Sequence, residues 1–249
     1  MNELLSSFLS NDSRFGRLMT RFGVIIGGNL MFILFSLPFI TIGAAYTALH
    51  FVMLKTLRGD GVVNPFKLFW HAFRENFRQA TAAWLAALLL SGFLFADFRL
   101  VSHAGGSLDW LRIPLLILSL LLAVMALYLC PVMAAFKDTL PHLLRNCLFF
   151  ASRRIYKVPV ILFFNLFPLY LTYTDPQMLP LYAFLWTFFG FGAVAMLNSA
   201  LLLPEMRPFL PKVNAFGDFI TEEEEEPETE DAMQPSQKQI LEDMKKLGM

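Results

Sequence analysis

Few side chains in the long uncharged stretches of this sequence could do chemistry, and those few are amides and one imidazole. Asn29, Asn165 and Asn198 each stand in an otherwise apolar run, where an amide left without a partner is costly. Amides on neighbouring helices can bond across the interface and fix a bundle. They can also line a path for a small neutral solute such as a sugar. His50 is the one titratable group well inside such a run. A hydrogen-bonded structural histidine and a proton-responsive one are the two readings open to it.

A second group is the run Ser36-Leu37-Pro38-Phe39-Ile40-Thr41-Ile42-Gly43. Pro38 removes a backbone donor, and Ser36 and Thr41 can bond the groups that a helix break exposes. Gly43 lets a following helix start at close quarters. The run predicts a turn; a broken helix lining a site is the competing reading, because irregular backbone at depth is tolerated beside protein or a cavity.

A third group lies in Pro65–Gln79, with Asn64 as N-cap and Pro65 as first helical residue. Phe66, Phe69, Trp70, Phe73 and Phe77 fall on one face, while Lys67, Arg74, Glu75 and Arg78 take the other. That pattern predicts a helix lying in the cytoplasmic interface and leading into a span. The same aromatics with Arg74 and Arg78 are the candidate docking face for a cytoplasmic partner.

Other chemistry is missing its parts. Asp, Glu, Lys and Arg are absent from the middle of every long apolar stretch, so the usual elements of an ion-coupled carrier are not there. His50, His71, His103 and His142 share no metal-ligand spacing, and HExxH, Walker A and GxSxG patterns do not occur. Cys130 and Cys147 are too few for a disulfide framework and read as structural. The expectation is a protein with no catalytic residue, no metal, no cofactor and no nucleic-acid partner; an intramembrane enzyme is the least favoured reading.

The elements that must position these residues follow from the apolar blocks. The composition is 56% hydrophobic with 27 phenylalanines and 16% charged residues, unlike a soluble domain. Phe22 to Leu54 is uncharged for 33 residues; as one helix it would run about 50 Å, against about 30 Å of hydrocarbon. Arg14, Arg17 and Arg21 precede it, and Lys55 and Arg58 follow. If basic residues stay cytoplasmic, both ends lie on one side and the stretch is a tight hairpin of two spans. Further blocks run Gln79–Ala96, Ile113–Lys137 (short of the lysine), Val158–Thr174 and Met178–Pro204, each long enough for one span.

The fold class predicted is therefore an all-α, polytopic bundle of six spans with both termini cytoplasmic. Of 20 Lys and Arg residues, only Arg99 and Arg112 then lie outside. A five-span arrangement would put five outside and needs one overlong, proline-broken helix. The second span, about Ile42–Leu54, is short; it crosses if Lys55 and Arg58 extend to the headgroups, and a re-entrant segment is the alternative. Asp97 is expected in an outer loop. Asp138 to Lys157 is expected as a basic inner loop with a short surface helix.

Residues 1–21 read as a cytoplasmic amphipathic start, 22–204 as the transmembrane domain and 205–249 as a cytoplasmic tail. In the tail, Glu222–Glu226, Glu228, Glu230 and Asp231 form an acidic run expected to be disordered. Ser236 to Leu247 could form a short terminal helix.

Two segments carry a family resemblance. Asn29 through Pro38, continuing Phe39-Ile40-Thr41-Ile42-Gly43-Ala44-Ala45-Tyr46-Thr47-Ala48-Leu49, resembles the hallmark of the YesL-like family. Phe73-Arg74-Glu75-Asn76-Phe77-Arg78-Gln79-Ala80 resembles its second signature, and the likeness extends over most of residues 10–215. These are bacterial integral membrane proteins of uncharacterised function, commonly encoded beside sugar-uptake ABC transporter components and carbohydrate-degrading enzymes. The resemblance implies a multi-pass protein of the bacterial plasma membrane, an accessory or permease-like part of carbohydrate uptake with transporter subunits as partners. It carries over no site residues. The rival expectation, from the residues alone, is a stand-alone channel or facilitator for a small neutral solute lined by the three asparagines.

Overall fold

The first helix stops where Pro38 ends it. In a computed structural model of the chain, which describes residues 14–59, 64–104 and 106–210, α1 (Arg14–Ser36) is followed by a 3-10 turn (Phe39–Thr41) and α2 (Ile42–Arg58). Thr41 Oγ1 donates to the carbonyls of Phe35 at 2.6 Å and Pro38 at 2.8 Å, capping the groups that the missing proline donor exposes. Ser36 does not share this task as expected; its Oγ is buried without a hydrogen-bond partner. α2 ends at Gly59, whose φ of 83° is the left-handed geometry of a glycine C-cap.

After α2 come α3 (Pro65–Ala104), a 3-10 segment (Gly106–Leu111), α4 (Arg112–Ala135) and α5 (Leu140–Arg153). α6 (Lys157–Thr174) and α7 (Leu179–Leu185) follow, then a π-helical turn (Trp186–Gly190), α8 (Phe191–Met206) and a closing 3-10 turn (Arg207–Phe209). The described residues are all helical or connecting. Among the described residues, six helical segments are long and apolar enough to cross a membrane: Leu18–Ser36, Phe39–Arg58, Pro65–His103, Asp109–Ala135, Lys157–Thr174 and Pro176–Phe209. The predicted six-segment bundle is thus present. The expectations for residues 1–13 and for the tail beyond Leu210, including the acidic run and the terminal helix, lie outside the described residues.

α2 is the centre of the bundle. It packs against α1, α3, α4 and α8, and 67% of its segment is buried, against 6–28% for the other five. A helix sheathed by protein need not match the hydrocarbon thickness with its own apolar length, which accounts for its shortness. It continues unbroken to Arg58 and does not turn back on itself. Gly43 makes the packing possible: a Cβ there would come within 2.5 Å of Trp84 Cβ and 2.8 Å of the Ala80 carbonyl on α3. Trp84 Nε1 also donates to the Phe39 carbonyl at 3.1 Å, tying the turn to α3.

Two expectations about α3 are corrected. Pro65–Gln79 is not a separate surface helix; one helix of 40 residues, about 60 Å at 1.5 Å per residue, runs from Pro65 to Ala104. No proline interrupts it, and Asn64 Oδ1 caps its start by accepting from the amides of Phe66 at 3.1 Å and Lys67 at 3.3 Å. The same continuity places Asp97 in the helix rather than in a loop.

α5 is the short helix expected after Asp138. It buries Leu143, Cys147, Phe150 and Ala151, with Phe150 stacked on Phe136.

Candidate functional site

The amides turn inward to the protein. Asn29 is fully buried on α1. Its Nδ2 donates to the carbonyls of Trp186 at 3.0 Å and Thr187 at 2.7 Å, and its Oδ1 accepts from the amide of Gly192 at 2.8 Å. These are backbone groups in and just after the π turn, where the i→i−4 ladder is displaced. One side chain therefore satisfies the irregular backbone of another helix. Gly192 has to be glycine for this approach, since a Cβ there would meet the Ile25 carbonyl at 2.8 Å.

Asn165 on α6 and Asn198 on α8 form a reciprocal pair. Asn165 Nδ2 donates to Asn198 Oδ1 at 3.1 Å, and Asn198 Nδ2 returns a bond to Asn165 Oδ1 at 3.3 Å. Asn165 also donates to the Ile161 carbonyl at 2.7 Å, and the Asn198 side chain lies close to the Tyr46 hydroxyl of α2. One helical turn away on α2, His50 Nδ1 lies 3.0 Å from Ser199 Oγ, and its ring meets Tyr46 edge-on at 4.7 Å. His50 Nε2 is buried without a partner. The sequence-predicted Asn165, Asn198 and His50 are thus brought into one polar cluster between α2, α6 and α8, while Asn29 works apart from them.

The aromatic face of α3 divides in two. Phe69 and Phe73 are 0% and 7% exposed, packed with Phe35 of α1 at ring separations of 5.7 and 4.9 Å. They are core residues and not part of a docking surface, because α1 covers the middle of the stripe. Phe66, Trp70 and Phe77 remain 52%, 46% and 38% exposed. Arg74 stands over the Trp70 ring at 5.7 Å, and Arg78 is exposed beside them.

The sequence reading missed a charged cluster. Glu205, with a side chain only 4% exposed, meets Lys157 Nζ at 2.7 Å and Arg154 Nε at 3.0 Å. Lys157 also donates to the Leu201 carbonyl at 2.7 Å. The Tyr156 hydroxyl, which accepts a hydrogen bond from the guanidinium, and then the Glu205 carboxylate raise the pKa of Arg154 above its ordinary value. The signal was present: Asn198, Leu202 and Glu205 are spaced i, i+4 and i+7 and share the buried face of α8. Glu205 is the only acid between Asp175 and Asp218.

Among the described residues no group of three or more His, Cys, Asp or Glu is placed to hold a metal ion. Residues 25–98 match a family described as "Protein of unknown function, DUF624". The matched stretch takes in Asn29, the helix break, His50 and the aromatic part of α3, and stops short of Asn165, Asn198, Lys157 and Glu205. No curated protein and no solved structure matches the chain.

Proposed function

We propose that this chain is a non-enzymatic, multi-pass protein of a bacterial plasma membrane, with both termini cytoplasmic, serving as an accessory or permease-like component of carbohydrate uptake. The resemblance of Asn29–Leu49 and Phe73–Ala80 to the YesL-like family supplies the physiological setting. The placement of basic residues between apolar segments supports the orientation. The observation that carries the partner reading is the exposed strip Phe66, Trp70, Arg74, Phe77 and Arg78 on the amino-terminal half of α3. Aromatic and arginine side chains are the types that dominate protein interfaces.

The facilitator reading loses support because its asparagines are engaged with one another and with backbone. A path lined by them would have to break those bonds.

The test is purification from native membranes in gentle detergent after crosslinking, comparing wild type with Trp70→Ala/Arg74→Ala/Phe77→Ala. Wild type should bring transporter permease and ATPase subunits in stoichiometric yield, and the variant should lose them while remaining monodisperse. Phe69 and Phe73 are left untouched so that the core stays intact. Recovery of wild type alone would overturn the accessory reading and direct attention to neutral-sugar flux in liposomes.

A further inference from the structure

Two grooves meet at Leu140, one apolar and one polar. The apolar groove encloses about 190 Å³ between Ala83, Ala87 and Leu90 of α3, Leu122 and Ala126 of α4, and Leu144 of α5. Alanines on the facing helices leave room there that larger side chains would fill. From Ala83 to Leu90 the floor runs about 10 Å along the helix. The polar groove, about 730 Å³ and more open, is lined by Glu75, Asn76, Gln79, Lys137, Asp138 and Thr139, with Leu140 common to both.

The polar groove sits where two uncharged stretches end, after Arg78 on α3 and before Lys137 beyond α4. A membrane places its headgroups at that level. Its chemistry is biased toward accepting hydrogen bonds. Two carboxylates stand against one ammonium. Glu75 pairs with Lys137 at 2.6 Å and lies 3.6 Å from His71. Asp138 accepts from the Thr139 amide at 2.7 Å through Oδ1 and keeps Oδ2, 3.9 Å from His142. The Asn76 amide nitrogen donates to the Ala72 carbonyl at 3.0 Å and that of Gln79 to the Asp138 carbonyl at 2.9 Å. Both amide oxygens are left as acceptors. Arg74 and Arg78 are on the same helix but do not line the groove.

We propose that the joined grooves are a lipid-binding site seating the headgroup-proximal half of one acyl chain in the apolar part and an ethanolamine phospholipid headgroup in the polar part. The ammonium supplies N–H donors to the amide oxygens and surplus carboxylate, and the phosphate lies toward Lys137. A choline headgroup fills the same space without donors. A glycerol headgroup donates through hydroxyls but brings a net negative charge beside Glu75 and Asp138. The site does not depend on the uptake reading.

The test is native mass spectrometry of the delipidated full-length protein, titrated with phosphatidylethanolamine, phosphatidylcholine and phosphatidylglycerol of identical chains. Retention of the ethanolamine lipid should exceed that of each of the others about tenfold, the scale of one charge-assisted hydrogen bond. Asp138→Asn should erode the preference, and Ala87→Trp should abolish it by filling the apolar half. Photolabelling of wild type with a phosphatidylethanolamine carrying a diazirine in its tail keeps the test open if Ala87→Trp fails to fold; it should mark peptides containing Met125 or Leu144. Equal retention of the three lipids, preference for the glycerol lipid, or labelling confined to other helices would overturn the proposal.

Discussion

Lys157, the first residue of α6, reaches Glu205 near the end of α8 at 2.7 Å, and that carboxylate is almost wholly enclosed. The pair joins two helices 48 positions apart in sequence, and Arg154 adds a second cation to the same oxygen at 3.0 Å. Lys157→Met leaves Glu205 still paired with Arg154 and should cost less than loss of the carboxylate. Glu205→Leu strands the largely buried Lys157 ammonium and should destabilise the bundle by about 3–5 kcal/mol. The double variant should recover most of that loss. Thermal unfolding in detergent micelles, run as a double-mutant cycle, measures it; additive losses would show that the pair is not coupled.

Gly43 should tolerate no side chain. An added methyl would press on Trp84 Cβ and on the backbone carbonyl of Ala80, and backbone cannot rotate aside. Gly43→Ala is expected to cost about 1–3 kcal/mol by overpacking. Gly23→Ala, where a Cβ meets nothing within 4 Å, is the control on α1 and should leave the melting temperature nearly unchanged.

Asn29→Leu removes one side chain but strands three backbone groups, the carbonyls of Trp186 and Thr187 and the amide of Gly192. At about 1–3 kcal/mol for each buried group left unsatisfied, the variant should fail to reach a monodisperse state or melt far below wild type. Asn29→Asp, protonated in this buried site, retains the acceptor for Gly192 and one donor for the two carbonyls, and should fall between. Size-exclusion profiles and melting curves of the three proteins order them.

Burial, with a smaller contribution from Cys130, pushes the Cys147 thiol of α5 up to about 12. The thiolate that reacts with maleimide is therefore suppressed in the folded protein. Cys147 should resist labelling at pH 8 and label fully after unfolding in SDS. The sign of the linkage follows: the unfolded thiol, near 9.0, releases its proton first. Its contribution to stability is present below pH 9 and falls as pH rises from there toward about 12. Rapid native labelling at pH 8 would show that α5 does not pack as described.

Much of the architecture was legible because apolar length and basic flanks are local properties. Pro38 with Thr41 marked the first turn, Asn64 marked the start of α3, and six segments emerged from block lengths together with their basic flanks. The division of the α3 stripe was not legible. Phe69, Trp70 and Phe73 share one helical face by spacing, yet α1 covers Phe69 and Phe73 and leaves Trp70 at the edge. The join between Pro65–Gln79 and the span beyond it was misread because Arg74, Glu75 and Arg78 suggest a surface, although no residue there breaks a helix.

By itself the sequence determined that this chain forms apolar helices, where the first pair must turn, and which amides could not be left unbonded, since each follows from backbone chemistry and transfer into hydrocarbon. Tertiary structure decided the partners. That Asn29 closes the π turn, that Asn165 meets Asn198, and that Glu205 lies between Lys157 and Arg154 depend on how helices cross. Crossing is set by close packing at positions such as Gly43 and Gly192, where the steric limit comes from another helix altogether.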